Sequence, residues 1–229
     1  MKKTFSVLFA VLISLCLFSQ VYAYTISFDS TLDVQGVLTT TQAYATVWDF
    51  NTGDLTTPPA GFSVKAEQTA AIVSGSVVNR YAAPFVPGYG ADPTHYLTVP
   101  APDGIDSSGY IILGLSAPAN YFGLFWGSID TYNTISFYSG SNLVASFDGS
   151  AVTSPSAANG DQTASTTNTY VNFFGLQPFD SVKLSSTNFA FEVDNIAVGT
   201  TPVPEPATMF LLGAGLVGLA GFGRKRLIK

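Results

Sequence analysis

Between Tyr24 and Val198 the apolar residues recur mostly at alternate positions, in short runs broken by Gly, Pro, Asn, Asp and Ser. A two-residue period bounded by turn formers is the signature of β-strands, and no stretch of this body sustains the 3.6-residue period of a helix. The pattern predicts strands over Tyr24–Phe28, Val34–Thr40, Ala45–Phe50, Ala71–Val78, Tyr96–Val99 and Tyr110–Leu115. It predicts more over Tyr121–Trp126, Asn133–Tyr138, Leu143–Phe147, Tyr170–Gly175, Ser181–Ser186 and Phe189–Val198. The block from Tyr110 to Phe147 has hairpin spacing and reads as a β-meander. Ser150–Thr169 is low in complexity and reads as a surface loop. In the last strand, strict alternation sets Phe189, Phe191, Val193 and Asn195 on one face, and Ala190, Glu192, Asp194 and Ile196 on the other. Many short strands at regular spacing give the expected class: all-β, a single antiparallel β-sandwich, jelly-roll-like, over residues 24–199.

Two segments depart from this pattern. Near the N-terminus, Lys2 and Lys3 precede an uncharged run, Phe5–Phe18, and then Val21-Tyr22-Ala23. Residues 1–23 therefore read as a secretory signal peptide, cleaved by signal peptidase between Ala23 and Tyr24. Near the C-terminus, Pro204-Glu205-Pro206 closes a linker over residues 200–206, followed by the uncharged run Ala207–Gly223 and the basic tail 224–229. As a helix, 207–223 is about 25 Å long at ~1.5 Å per residue, a short transmembrane span against a core of ~30 Å. Arg224, Lys225 and Arg226 stop that span and, by the positive-inside rule, hold the C-terminus in the cytoplasm with the body outside. The prolines cannot extend a strand ladder and favour extended backbone, so they present Glu205 on a stiff tether.

The order Pro-Glu-Pro, short Gly-rich span, basic cluster resembles the PEP-CTERM sorting signal of exported Gram-negative bacterial proteins. The resemblance implies that an integral-membrane exosortase recognises Pro204, Glu205 and Pro206, removes the anchor and passes the body outward. It implies export through the Sec route, a transient inner-membrane stage, and a final place at the cell surface or in the extracellular matrix. It also links such proteins to biofilm and exopolysaccharide production. Two stretches, Tyr121–Asn133 (YFGLFWGSIDTYN) and Phe191–Ile196 (FEVDNI), are similar to one recurring group of these exported proteins. That group supplies no activity.

Charge sharpens the picture. Of nine basic residues only Lys65, Arg80 and Lys183 lie in the body, against fourteen acids, a net charge of −11. Such a surface repels phosphate backbones and argues against nucleic acid as a partner. The single cysteine, Cys16, lies in the signal segment, so the mature body has no disulfide and no thiolate ligand. One histidine, His95, is too few for a histidine zinc site, and no nucleophile elbow accompanies it.

Three chemistries stay open. Asp130, Glu192 and Asp194 are the acids for a carboxylate pair of the glycosidase kind. Asp49 and Asp194 are the candidates for calcium, which needs only oxygen ligands. Trp126 and Tyr132, with Tyr138 or the loop aromatics Tyr81, Phe85 and Tyr89, are the candidates for stacking on sugar rings. The leading expectation is a non-enzymatic surface or matrix protein, structural or adhesive, with extracellular polysaccharide as partner and no required cofactor. A carbohydrate-binding module with a structural calcium is the alternative, and a polysaccharide-acting enzyme is third.

Overall fold

The computed structural model describes residues 23–153 and 157–201, together with Gly215. In chain order the strands are β1 (Thr25–Ser27), β2 (Thr31–Leu32), β3 (Leu38–Thr39), β4 (Thr46–Trp48), β5 (Phe62–Gln68), β6 (Ala71–Ser74), β7 (Phe85–Val86) and β8 (Gly90–Ala91). They continue as β9 (His95–Val99), β10 (Gly109–Ala119), β11 (Tyr121–Gly127), β12 (Asn133–Ser139) and β13 (Asn142–Asp148). After one helical turn, α1 (Gly149–Val152), come β14 (Thr169–Phe174), β15 (Phe179–Ser186) and β16 (Phe191–Gly199). The all-β class holds, and every strand pairing is antiparallel.

Among the described residues, one sheet has seven strands, ordered β1-β14-β11-β16-β9-β6, with β4 paired to the far end of β16. A second has five, ordered β13-β12-β15-β10-β5. Both feed one hydrophobic cluster. The first contributes Phe122, Leu124, Trp126, Phe173, Phe191 and Val193, and the second Ile111, Leu113, Ile135, Phe137, Val182 and Leu184. Phe137 lies at the centre, with its ring 5.0–6.1 Å from those of Phe122, Phe147, Phe173 and Phe179.

Strand β11 is buried along its whole length, because its other face carries Phe125 into a second small cluster with Val37, Val86 and Tyr170. The hairpin β2–β3 covers that face through Leu32 and Leu38. A strand buried on both sides reads as a continuous apolar run, which is how YFGLFWG reads.

Three sequence readings need correction. The block β10 to β13 is not a meander: β11 sits in the seven-stranded sheet, while β10, β12 and β13 belong to the other. The chain changes sheets at Asn120, between the last residue of β10 and the first of β11, and only β12–β13 is a hairpin. Strand β5 was hidden in a polar stretch after a Pro-Pro loop. It alternates at first, with Phe62 and Val64 on the core and Ser63 exposed, until a bulge at Lys65 sets Ala66 opposite Ile112 on the outer face. Lastly, β16 does not alternate throughout. Four residues, 194–197, oppose three, 123–125, so a β-bulge at Asn195 (φ 46°) flips the register. Ile196 therefore shares the core face with Phe191 and Val193, not the face of Glu192 and Asp194.

The two ends of the described body lie side by side. Gly175 approaches the carbonyl of Ala23 so closely that a Cβ on it would stand 2.8 Å from that oxygen. The next residue, Leu176, donates its N–H to Asn120 O at 3.2 Å, and the Asn120 side chain in turn holds Thr201. No helix among the described residues is long and apolar enough to cross a membrane. The expected span 207–223 lies outside them except for Gly215, which is helical and exposed.

Candidate functional site

Three places concentrate polar chemistry. The first is the exit of the chain. Thr201 donates through its N–H (2.7 Å) and its hydroxyl (3.1 Å) to Asn120 Oδ1, and the Thr200 hydroxyl reaches Pro118 O at 3.4 Å. The body is thus fastened up to its last described residues, one position short of Pro202.

The second is a cavity of about 220 Å³ at the opposite end of β16, bordered by Arg80, Tyr81, Asp130, Tyr132, Gln162 and Glu192 among others. Glu192 is 2 % exposed and anchors it: Oε1 accepts from Ala82 N and Oε2 from Ser128 Oγ, both at 2.8 Å. Burial pushes this carboxyl up to about 7, against the pull of those two donors. Burial also raises Asp130, whose neighbour Tyr132 donates its hydroxyl to Phe189 O at 2.9 Å. Arg80 does not neutralise the two acids. Its guanidinium lies 4.6 Å over the Phe189 ring and donates to Gly104 O at 3.3 Å. Gly160 closes against Asp130, where a Cβ would come within 2.6 Å of Oδ1. The stretch expected as a plain surface loop thus forms part of the wall. Asn168, which is buried, also accepts from Phe85 N and Ser128 N, each at 3.0 Å.

The third is a pair of carboxyl groups, Asp92 before β9 and Asp194 at the bulge of β16. They are 3 % and 1 % exposed and stand against each other. Burial raises both, and for Asp194 the facing Asp92 adds to it.

The structure separates the residues singled out from sequence. Asp130, Tyr132 and Glu192 meet at the cavity, whereas Asp194, on the same strand, belongs to the other cluster. Trp126 is fully buried, with its ring 4.7 Å from that of Phe191, and has no face to offer a sugar. Of the two proposed stacking residues only Tyr132 borders a cavity. Tyr89 is exposed, and Tyr138, Tyr81 and Phe85 are partly so. Asp49 uses both oxygens on its own turn, accepting from Asn51 N at 3.2 Å and Asn51 Nδ2 at 3.0 Å. His95 is exposed. Ala23 and Tyr24 are exposed too, and Tyr24 rests edge-on against Phe147 at 5.0 Å. Pro204, Glu205, Pro206 and Arg224, Lys225, Arg226 lie outside the described residues.

Sequence reasoning passed over Ser128, Arg80 and Asp92. The first sits inside FWGSID, where the apolar residues drew attention. Asp92 lies in Asp-Pro-Thr, an Asx-turn signal that masked its burial.

Comparison with known proteins bears on the tail. Residues 202–226 match the PEP-CTERM protein-sorting motif. The PEP-CTERM motif implies export, a membrane-anchored sorting signal and processing by an exosortase. It begins one residue beyond the Thr201 hydrogen bonds, so signal and folded body abut without overlap. No curated protein matches the chain. Among solved structures, the catalytic domain of a GH87 α-1,3-glucanase variant with nigerose is similar at 16% identity and TM-score 0.33, covering 65% of this chain and 30% of that one. A variant with tetrasaccharides gives 17%, 0.32, 65% and 29%. The enzymatically active domain of tailspike protein 4 of bacteriophage CBA120 gives 15%, 0.30, 66% and 20%. The chain therefore spans less than a third of the length of these structures.

Proposed function

We propose that this chain is an exported surface or matrix protein whose body is a jelly-roll-like β-sandwich. The body is held at the inner membrane through 207–223, released or transferred by an exosortase acting at Pro204-Glu205-Pro206, and then serves a structural or adhesive, non-enzymatic role in extracellular polysaccharide. The observation that carries the reading is the junction. The last hydrogen bonds of the fold are at Thr200 and Thr201, and the sorting motif starts at residue 202. The recognition residues then begin three residues beyond the fold, about 10 Å of extended chain, enough to thread a membrane enzyme without unfolding a strand. The sandwich is supported by the two sheets sharing one apolar cluster. Replacing Pro204-Glu205-Pro206 by three alanines should hold the full-length protein in the inner-membrane fraction. Mature protein still appearing outside the cell would refute the reading.

A carbohydrate-binding module is the second reading, favoured by the cavity at Glu192, where Tyr81 and Tyr132 stand beside Gln162, Arg80 and Asp130. Sugar sites combine such aromatic faces with a few fixed polar groups. An enzyme is less well supported, since both oxygens of Glu192 are committed to Ala82 and Ser128.

A further inference from the structure

The Asp92–Asp194 pair lacks a counter-charge. Asp92 Oδ1 accepts from Thr94 N at 2.8 Å and Thr94 Oγ1 at 2.6 Å, but Asp92 Oδ2 is buried without any partner. Asp194 Oδ1 accepts from Asn195 N at 2.7 Å. Its Oδ2 has only Thr94 Oγ1 at 3.4 Å, and the one proton of that hydroxyl is better placed toward Asp92. Each carboxyl group thus keeps one oxygen without a full donor, and the two groups stand in contact with each other.

Nor does a basic residue come to them. Lys65 pairs with Asp180 at 3.2 Å, Arg80 lies over Phe189, and Lys183 lies 4.4 Å over the Tyr110 ring. These three are all the lysines and arginines of the body, and its one histidine, His95, is exposed. Asp33 and Asp49 add negative field from the neighbouring segments. Asp33 is occupied, however, with Oδ1 on Gln35 N and Val37 N and Oδ2 on Asn195 Nδ2, and Asp49 holds its own turn. Buried carboxylates in this state must either be protonated or be neutralised by a bound cation.

We propose that Asp92 and Asp194 together bind a hard divalent cation, calcium in an extracellular setting. Two carboxylates balance its charge, and an oxygen-only environment without cysteine or a second histidine suits a hard ion. No three acidic or histidine side chains among the described residues converge on one metal position. The other ligands must then be carbonyl, hydroxyl or water oxygens, and a site of this kind has an affinity of roughly 10⁻⁴–10⁻³ M, the range of extracellular modules. The ligand pair differs from the one expected from sequence: Asp194 stays, and Asp92 replaces Asp49.

The test is thermal unfolding of the full chain in detergent micelles, after chelator treatment and again with calcium chloride at about 5 mM. Calcium should raise the midpoint by about 2–9 °C. Asp92→Asn, which keeps the Thr94 hydrogen bonds, should fold and lose the calcium shift, whereas Asp49→Asn should retain it. Identical midpoints in calcium and chelator would overturn the proposal and leave a shared proton as the neutralising charge. An undiminished shift in Asp92→Asn would overturn it as well.

Discussion

Glu192→Gln isolates the energetic cost of one buried acid. In the folded protein this carboxyl is pushed by burial from an ordinary 4.5 up to about 7. A folded-state pKa above the unfolded one means that, between those values, the native state binds more protons than the unfolded state. Stability must then fall as pH rises from about 4.5 to about 7 and stay low above it. At ~1.36 kcal/mol per pKa unit the penalty above pH 7 is on the order of 3 kcal/mol, with no reduction for solvent because the group is buried. Glutamine can keep the local geometry: its Oε1 accepts from Ala82 N, and its Nε2 donates to Ser128 Oγ. At pH 8 the variant should therefore unfold about 6–12 °C above the parent, at ~2–4 °C per kcal/mol for a body of this size, and at pH 4.5 the two should nearly coincide. Unfolding followed by tryptophan fluorescence and far-UV circular dichroism in chelator keeps any cation effect out. Parallel pH profiles for parent and variant would refute the reasoning, since the difference between them reports Glu192 alone.

Two further substitutions probe the core and the cavity wall. Phe137→Ala removes the ring around which Phe122, Phe147, Phe173 and Phe179 are arranged, and should cost about 3–5 kcal/mol in denaturant unfolding. Gly160→Ala places a Cβ against Asp130 at a backbone φ of 70°; it should destabilise by about 1 kcal/mol or more and reduce co-sedimentation with polysaccharide, if the cavity is where polysaccharide binds.

The all-β class was legible because alternation and turn residues are local signals, and most strands of the two large sheets lie within a few residues of their expected positions. What pairs with what was not legible. The Tyr110–Phe147 block carries hairpin spacing whether its strands share a sheet or change sheets at Asn120, and no local residue distinguishes the two. The last strand shows the same limit at finer scale. A single bulged Asn195, fixed by Asp33 and Leu38 O from a distant hairpin and by the Tyr170 hydroxyl, decides that Ile196 points into the core. The candidate acids were readable as types but not as neighbours. Asp130 and Glu192 come together, while Asp194, two residues from Glu192 on the same face of β16, meets Asp92 instead, because Asp92 leads into the neighbouring strand β9.

Ala23 and Thr201 emerge together beside Asn120, while Glu192 is the second residue of the strand that Gly199 ends, about 20 Å away at ~3.3 Å per residue. A body tethered to a bilayer by the segments beyond both ends would hang from a single pole, like a bucket from its handle. The cavity would point away from the lipid from the moment of folding. Ala23 and Thr201 both lie outside the strands, before β1 and after β16, so either end could be cut first, and the second cut would find the same folded object as the first. In such a layout the order of the two proteases is a matter of kinetics alone.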